Sequence, residues 1–450
     1  MGEIKRGPVV TYDRGANIQP EDWNKEVVKV VPNSQVPLTA FTDAAGSTTT
    51  QSRIHHWWQK DQPAQRGAIT GVYTDGAMSS AYASGLADAQ VLYLKMAEAD
   101  AAHLLNGMTI TAAAVPEDDG TVVLTALLNL DVRHVSLDGA NSRVTVKVLS
   151  KGSDYLASES AIIVAAQSAD PGLSWFLSGD AQAENSELPD STFYEPVEFE
   201  NRTAILMAAT EMSGSELKEL ERVNRDKWRE AIEDALLVFR RKREHAFIFS
   251  NGKLRWEGSK QRRFYKGLLE LMREAGASSY NCATNTRWAD KVWDTGGGLI
   301  MLDDMIVDTS RIQTKSDTKI MFLGDLGMQS INRVVQNSTH FSWSADESVY
   351  GVNLKVLRGA MKTLKFAIHP TFNEEPRLRR SGLITEMPCV KRVNFRPMQF
   401  ITGKQGTDES GYDWVDGKKA GWMVEESVEA THLKAFAWVD NLGADGPSGS

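Results

Sequence analysis

The sequence predicts an α+β protein, and three observations carry that reading. Residues 143–149, RVTVKVL, alternate Val144, Val146 and Val148 with Arg143, Thr145 and Lys147, the period of two of a strand with one buried face. Residues 213–249 carry apolar side chains at helical spacing behind a Ser213–Glu216 capping box. Beyond Gly252, helical and strand-like segments follow one another without the regular βαβ repeat of a doubly wound sheet.

From the N-terminus, residues 1–47 are polar and irregular, broken by Pro20, Pro32 and Pro37. Such an arm cannot bury itself: it frays, or it lies along a neighbouring surface. Residues 106–180 read as a compact β module, with DGANS at 138–142 as a turn and AIIVAA at 161–166 as a short buried strand. The helix of residues 213–249 places Leu217, Leu220, Trp228, Ile232, Leu236, Phe239 and Phe247 on one stripe and stops at Asn251-Gly252. At about 35 residues it would be about 50 Å long, a strut that lies across a sheet or reaches between subunits.

Residues 260–276 read as a helix closed by Gly276, 299–309 as helix or strand, 318–324 as a strand and 325–338 as an amphipathic helix. Residues 354–370 hold two strand-like runs, 389–397 a strand and 418–442 two more, before a tail, GADGPSGS, expected to be disordered.

The 450 residues suffice for two or three domains. A hydrophobic fraction of 42% with 24% charged residues excludes a mainly disordered chain. The net charge of −9 opposes the bias of a freely diffusing nucleic-acid binder. Two cysteines, Cys282 and Cys389, make neither a disulfide framework nor a zinc ribbon and read as buried thiols. No signal peptide or membrane-length apolar run is visible.

Catalytic signatures are missing: there is no phosphate loop, dinucleotide fingerprint, H-E-x-x-H, G-x-S-x-G or C-x-x-C. No catalytic residue, cofactor or metal site is assigned. His55 and His56 in RIHHWWQKD, residues 53–61, cannot face one metal from a strand, and surface or interface packing is the better reading. Trp57 and Trp58 divide the same way, one ring towards the fold and one outwards. Burial of both in the core and use of the outward ring at a protein contact both stay open. Gly296-Gly297-Gly298 reads as a flexible loop rather than a phosphate cradle, Asp303-Asp304 as a helix start or solvated pair, and RRKRE at 240–244 as a solvated helix face. PRLRR at 376–380 reads as a loop able to meet an acidic neighbour or nucleic acid.

In order along the chain stand a polar arm, WWQKDQPAQ at 57–65, a β module, AENSELPDSTFYEPVEFENRTAIL at 183–206 and MSGS at 212–215 opening the long helix. SNGK at 250–253 closes that helix, and IMFLGDLGMQSINRVV at 320–335, HPTF at 369–372 and HLKAFAWVDNL at 432–442 follow. This order resembles the major capsid proteins of tailed bacteriophages with the Hong Kong 97-type fold, in the subgroup with a β module inserted near the extended loop.

The resemblance implies an N-terminal arm (1–47), an extended loop region (48–105), an inserted β-rich module (106–182) and a peripheral domain (183–289) with a spine helix at 215–249. It further implies an axial domain (290–390), return strands of the peripheral domain (391–442) and a tail (443–450). The implied function is self-assembly, through pentamers and hexamers, into an icosahedral virion shell that encloses double-stranded DNA without sequence-specific binding. Assembly would take place in the host bacterial cytoplasm, with scaffold, portal and decoration proteins as partners and no membrane. Arg53, Trp57, Trp58, Lys60 and Asp61 would then lie on an extended loop in contact with the neighbouring subunit, the aromatic rings as anchors and the charges as rim pairs. An acidic chain suits a shell that does not grip its genome. The alternatives are an encapsulin-like nanocompartment shell, of the same fold, and a glycan-active enzyme with Trp57 and Trp58 as a sugar platform; no carboxylate pair for the latter can be placed.

Overall fold

The computed structural model describes residues 38, 42, 47–60, 65–83, 87, 89–114, 128–149, 173–179, 195–219, 226–312, 314, 316–337, 344–349, 352–358, 362–402 and 417–448. The predicted strand at 161–166 and most of the arm lie outside them. Helices and strands are mixed, and the chain divides into two compact units, Met1–Gln59 with Glu198–Ser450, and Lys60–Val197.

The first unit is built on a seven-stranded mixed sheet in the order Ser278–Asn281, Ala437–Asp440, Gly382–Thr385, Thr318–Leu323, Thr363–Ile368, Val352–Arg358, Ser344–Val349. Thr318–Leu323 is central and buried on both faces, which is why it reads as a continuous apolar run. Met321 and Leu323 pack with the helices Gly297–Ser310 and Asp325–Asn337. Ile320 and Phe322 join the opposite cluster with Phe247, Leu268 and Phe372. A second sheet orders Ser47–Thr49, Val390–Thr402, Gly417–Ala430 and Ala204–Ser213, the first pair parallel and the others antiparallel. The long helix Lys227–Phe249 packs on it, with Phe239 against Ala208 and Val424.

That helix departs from expectation. The capping box forms, with Ser213 Oγ accepting from the Glu216 amide at 3.3 Å, but its helix ends at Lys218 and Glu219 is extended. A separate helix starts at Lys227, capped by Asp226, whose carboxylate accepts from the Arg229 amide at 3.2 Å. The strut therefore has 23 residues and a length of about 35 Å.

Two further expectations are corrected. Residues 260–263 are not helical: Lys260–Arg263 pairs antiparallel with Leu254–Glu257 across a turn holding Gly258 at φ +59°. The helix, Leu268–Glu274, begins only after Gly267, where a Cβ would stand 2.7 Å from the Ile248 carbonyl oxygen. The tail is also ordered through residue 448. Asp445 Oδ1 accepts from the Trp293 amide at 2.9 Å, Gly446 N–H donates to the Lys291 carbonyl at 3.0 Å, and the Pro447 carbonyl accepts from the Asp290 amide at 3.0 Å. A polar segment orders when fixed donors and acceptors meet its backbone.

The second unit is one antiparallel seven-stranded sheet in the order Arg66–Ile69, Leu173–Gly179, Thr109–Ala114, Leu128–Ser136, Ser142–Val148, Val91–Met96, Gly71–Tyr73. Its two outermost strands are separated in sequence by Thr70 alone, so the sheet curls until its edges approach. Ser142–Val148 alternates buried and half-buried positions, and Val144 and Val146 join Leu92, Leu130 and Trp175 in the core. Because Arg66–Ile69, Gly71–Tyr73 and Val91–Met96 belong to this sheet, the β unit begins near residue 60 rather than at 106.

Candidate functional site

The strand Ile54–Gln59 pairs with Val197–Arg202 in a two-stranded ladder. Alternation along it sends His55 and Trp57 to one side and His56 and Trp58 to the other. His55 Nε2 meets Glu429 Oε2 at 2.8 Å. Trp57 is 6% exposed and stacks on Phe199 at 5.9 Å and on His55 at 5.8 Å. Trp58, by contrast, is 61% exposed, and His56 Nδ1 lies 2.6 Å from Glu198 Oε1 in the open. Arg53 and Lys60 are exposed; Asp61 lies outside the described residues. Of the site residues singled out from sequence, Trp58, Arg53 and Lys60 are thus exposed, whereas Trp57 is spent on its own unit's core. The two histidines diverge, and among the described residues no group of three His, Cys, Asp or Glu side chains could hold a metal.

Beneath the outer surface lies a charge network that the sequence did not announce. Arg243 Nε reaches both Glu426 carboxylate oxygens at 2.9 Å and its Nη2 reaches Oε2 at 2.6 Å. Arg392 Nε lies 3.2 Å from the same carboxylate, with its guanidinium 5.6 Å from the Phe247 ring centroid. Glu425, on the opposite face of the strand, takes Arg263 at 3.0 Å, Arg396 at 2.7 Å and the Thr203 hydroxyl at 3.0 Å. Tyr265 stands buried beside this lattice; burial, reinforced by the Glu426 charge, pushes its phenol well above the ordinary range.

Arg243 and Glu244 belong to RRKRE, so the solvated-face reading fails for these two. Glu244 is fully buried, and its Oε1 accepts from the Leu38 amide and meets His369 Nε2, each at 2.9 Å. Thr42 Oγ1 accepts from Arg392 Nη2 at 3.0 Å and donates to the Leu38 carbonyl at 3.0 Å. Leu38 and Thr42 are both fully buried. Leu38 and Thr42, near the end of the arm, are therefore anchored in their own unit, against the expectation that the arm frays or lies along a neighbouring surface.

The remaining sequence candidates are structural. Gly297 and Gly298 open a helix, and a Cβ on Gly298 would stand 2.7 Å from Val334, so the glycines permit close helix packing rather than a flexible loop. Asp304 sits inside that helix and accepts from Trp288 Nε1 at 3.0 Å. Asp303 has its carboxyl pushed upwards by burial and by Asp304. Arg379 of PRLRR grips Asp325 at 2.5 Å. Lys319, fully buried, donates to the Thr309 and Ala435 carbonyls at 3.1 and 2.8 Å. Burial, with Lys362 nearby, lowers it to about 8. No helix among the described residues is long and apolar enough to cross a membrane.

Residues 9–415 match the family model described as SU10 major capsid protein. Among solved structures, the chain is similar to that of Mycobacterium phage Bobi at 9% identity and a TM-score of 0.44, covering 97% of each chain. It is similar to Microbacterium phage Oxtober96 at 10% identity and a TM-score of 0.44, covering 96% of this chain and 99% of that one. The encapsulin of the holo-SrpI complex from Synechococcus elongatus PCC 7942 is similar at 13% identity and a TM-score of 0.36, over 57% of this chain and 78% of its own. No curated protein sequence matches significantly. With about nine-tenths of its length inside the family match, the chain belongs to the SU10 major capsid protein family and is a phage capsid shell protein.

Proposed function

We propose that this chain assembles through pentamers and hexamers into an icosahedral head shell around a double-stranded DNA genome, with the anatomy of the Hong Kong 97-type fold. In this reading residues 1–47 are the N-terminal arm and the ladder of Ile54–Gln59 with Val197–Arg202 is the root of the extended loop. The unit Lys60–Val197 is the inserted module and Lys227–Phe249 the spine helix. The four-stranded sheet then belongs to the peripheral domain, and the seven-stranded sheet of the first unit to the axial domain. Assembly takes place in the host cytoplasm, with scaffold, portal and decoration proteins as partners. The family match over residues 9–415 carries the reading; a nanocompartment shell is not favoured by it.

Within this frame the exposed side of Ile54–Gln59 is the contact to the next subunit. Trp58, 61% exposed on a strand whose other face is fixed by Trp57, is the anchor, because a large exposed aromatic gains most by burial at a protein contact. Arg53, Lys60 and Asp61 supply the rim, where charges steer and register more than they stabilise. Electron microscopy of the purified chain, alone and co-expressed with its scaffold, tests the reading: closed shells support it, and a small discrete species in both preparations contradicts it.

A further inference from the structure

The hairpin of Leu254–Glu257 and Lys260–Arg263 carries its charge on one side. Register pairs Leu254 with Arg263, Arg255 with Arg262 and Glu257 with Lys260, and Phe264 N–H donates to the Lys253 carbonyl. Alternation therefore places Lys253, Arg255, Lys260, Arg262 and Phe264 on one face with a single acid, Glu257. All six of these residues are exposed. At about 3.4 Å per residue and one strand spacing of about 4.8 Å, the cations fall on a ribbon about 14 Å long and two strands wide.

Arg255 stands directly opposite Arg262, and like charges in that position are destabilising. Glu257 relieves Arg262, meeting its Nη1 at 2.7 Å; Arg255 and Lys260 have no ion pair among the described residues. The other face is tied to the body of the unit. Arg263, which shares that face with Leu254 and Trp256, is held by Glu425 of the four-stranded sheet at 3.0 Å, and the strand Lys260–Arg263 packs against Ala204–Ser213. The root is fixed as well: Gly252 N–H donates to the carbonyl of Tyr265, which is fully buried. The cationic face thus points away from the body on a fixed stem.

We propose that this face binds double-stranded DNA through its phosphates, as a sequence-independent contact between the shell and the genome inside it. Lys and Arg are the side chains that neutralise phosphates, a two-stranded β-ribbon fits the major groove of B-DNA, and phosphate contacts carry no sequence information. An extended polyanion answers a row of cations along its whole length, the opposed Arg255 and Arg262 included, whereas a single carboxylate, as Glu257 shows, satisfies one. A second copy of the chain is the poorer partner: the described residues of Lys60–Val197 hold six acidic and six basic side chains, no excess of negative charge. The net charge of −9 repels DNA from the rest of the chain and keeps the contact confined to this ribbon. The inference rests on the shell reading for its source of DNA.

Two measurements test it. In the first, the full-length chain, purified before assembly, is titrated with a random-sequence duplex of about 30 base pairs between about 50 and 200 mM salt. Four phosphate contacts give an expected slope of log K against log salt of about −3.6, a loss of about 10²-fold in affinity over that range. Arg255→Gln/Lys260→Gln is expected to halve the slope while keeping the wild-type melting curve. The control Lys391→Gln/Lys418→Gln, at exposed positions of the four-stranded sheet, is expected to leave it unchanged. In the second, particles of the unmodified chain, purified with and without DNA, are acetylated side by side, and Lys253 and Lys260 are expected to react several-fold more slowly in the filled ones. No duplex binding at the lower salt, an unchanged slope in the hairpin variant, an equal loss of slope in the control, or equal acetylation in both kinds of particle would overturn the proposal. Equal protection would mark a contact with another protein chain, and equal reactivity a solvated face. If the chain forms no particle the shell reading fails, and the duplex titration alone still decides whether this face binds DNA.

Discussion

Arg243 closes a two-pronged ion pair on Glu426 with both side chains withdrawn from water, 8% and 1% exposed. The pair joins the long helix to the strand Gly417–Ala430, and Arg392 shares the same carboxylate at 3.2 Å. Burying such charges is costly, and only their mutual satisfaction offsets that cost. The lattice therefore fixes which residues meet more than it adds to stability.

Removing one partner strands the others. Glu426→Ala leaves two guanidinium groups uncompensated and is expected to lower unfolding free energy by about 3–5 kcal/mol. Arg396→Ala, at the exposed rim of the lattice, is expected to cost about 0–1 kcal/mol. The double variant Arg243→Met/Glu426→Leu is expected to lie nearer wild type than Glu426→Ala does. Chemical denaturation of the three variants checks the order.

The anchor of Leu38 gives a local prediction. Glu244→Ala removes the acceptor of the Leu38 amide and the partner of His369. Hydrogen exchange at Leu38 is expected to accelerate well beyond that of amides in Thr318–Leu323, because the opening is local and the core sheet stays closed. Equal acceleration at both sites would show that Leu38 is not held by this carboxylate.

The two adjacent tryptophans are expected to separate in their effects. Trp57→Ala empties a core position and is expected to cost about 3–5 kcal/mol in unfolding free energy. Trp58→Ala is expected to change it by no more than about 0.5 kcal/mol while reducing particle yield. Denaturation curves and sedimentation of assembled material from the same preparations separate the two effects.

Lys319 sets an alkaline pH dependence. It is lowered to about 8 from an ordinary 10.5, so between those values the unfolded chain binds more protons than the folded one. Its contribution to stability therefore rises with pH across that window. Cys282 and Tyr280, both pushed up by burial to about 12, act in the opposite sense: the folded chain keeps protons the unfolded chain has released. The stability of wild type minus that of Lys319→Met is expected to increase from pH 8 to pH 10 in urea titrations. A flat difference would mean that Lys319 stays charged in its site.

Local pattern made several elements legible. The strict alternation at 143–149 yields Ser142–Val148, the apolar run at 318–324 yields Thr318–Leu323, and Ser213 caps where its spacing to Glu216 says it will. What failed needed partners distant in sequence. KQRRFYKGLLELM carries apolar residues at helical spacing, yet pairing with Leu254–Glu257 and the close approach of Gly267 to Ile248 decide otherwise. Arg243 and Glu244 sit in a charged run whose partners, Glu426 and His369, lie 183 and 125 residues away, so no local window marks them as buried. The tail orders on Trp293, 152 residues before Asp445. For the candidate surface, the alternation of Trp57 and Trp58 was readable from strand geometry alone. Which ring turned inwards was not, because it depends on Phe199 from a later strand.

The most direct test of the central claim, that identical neighbours complete this chain's surface, is the reconstruction of an assembled particle at a resolution that shows side chains. The account predicts closed shells of five- and six-membered rings in which Trp58 of each subunit is covered by the adjacent one. Shells in which Trp58 stays in solvent at every position would contradict it.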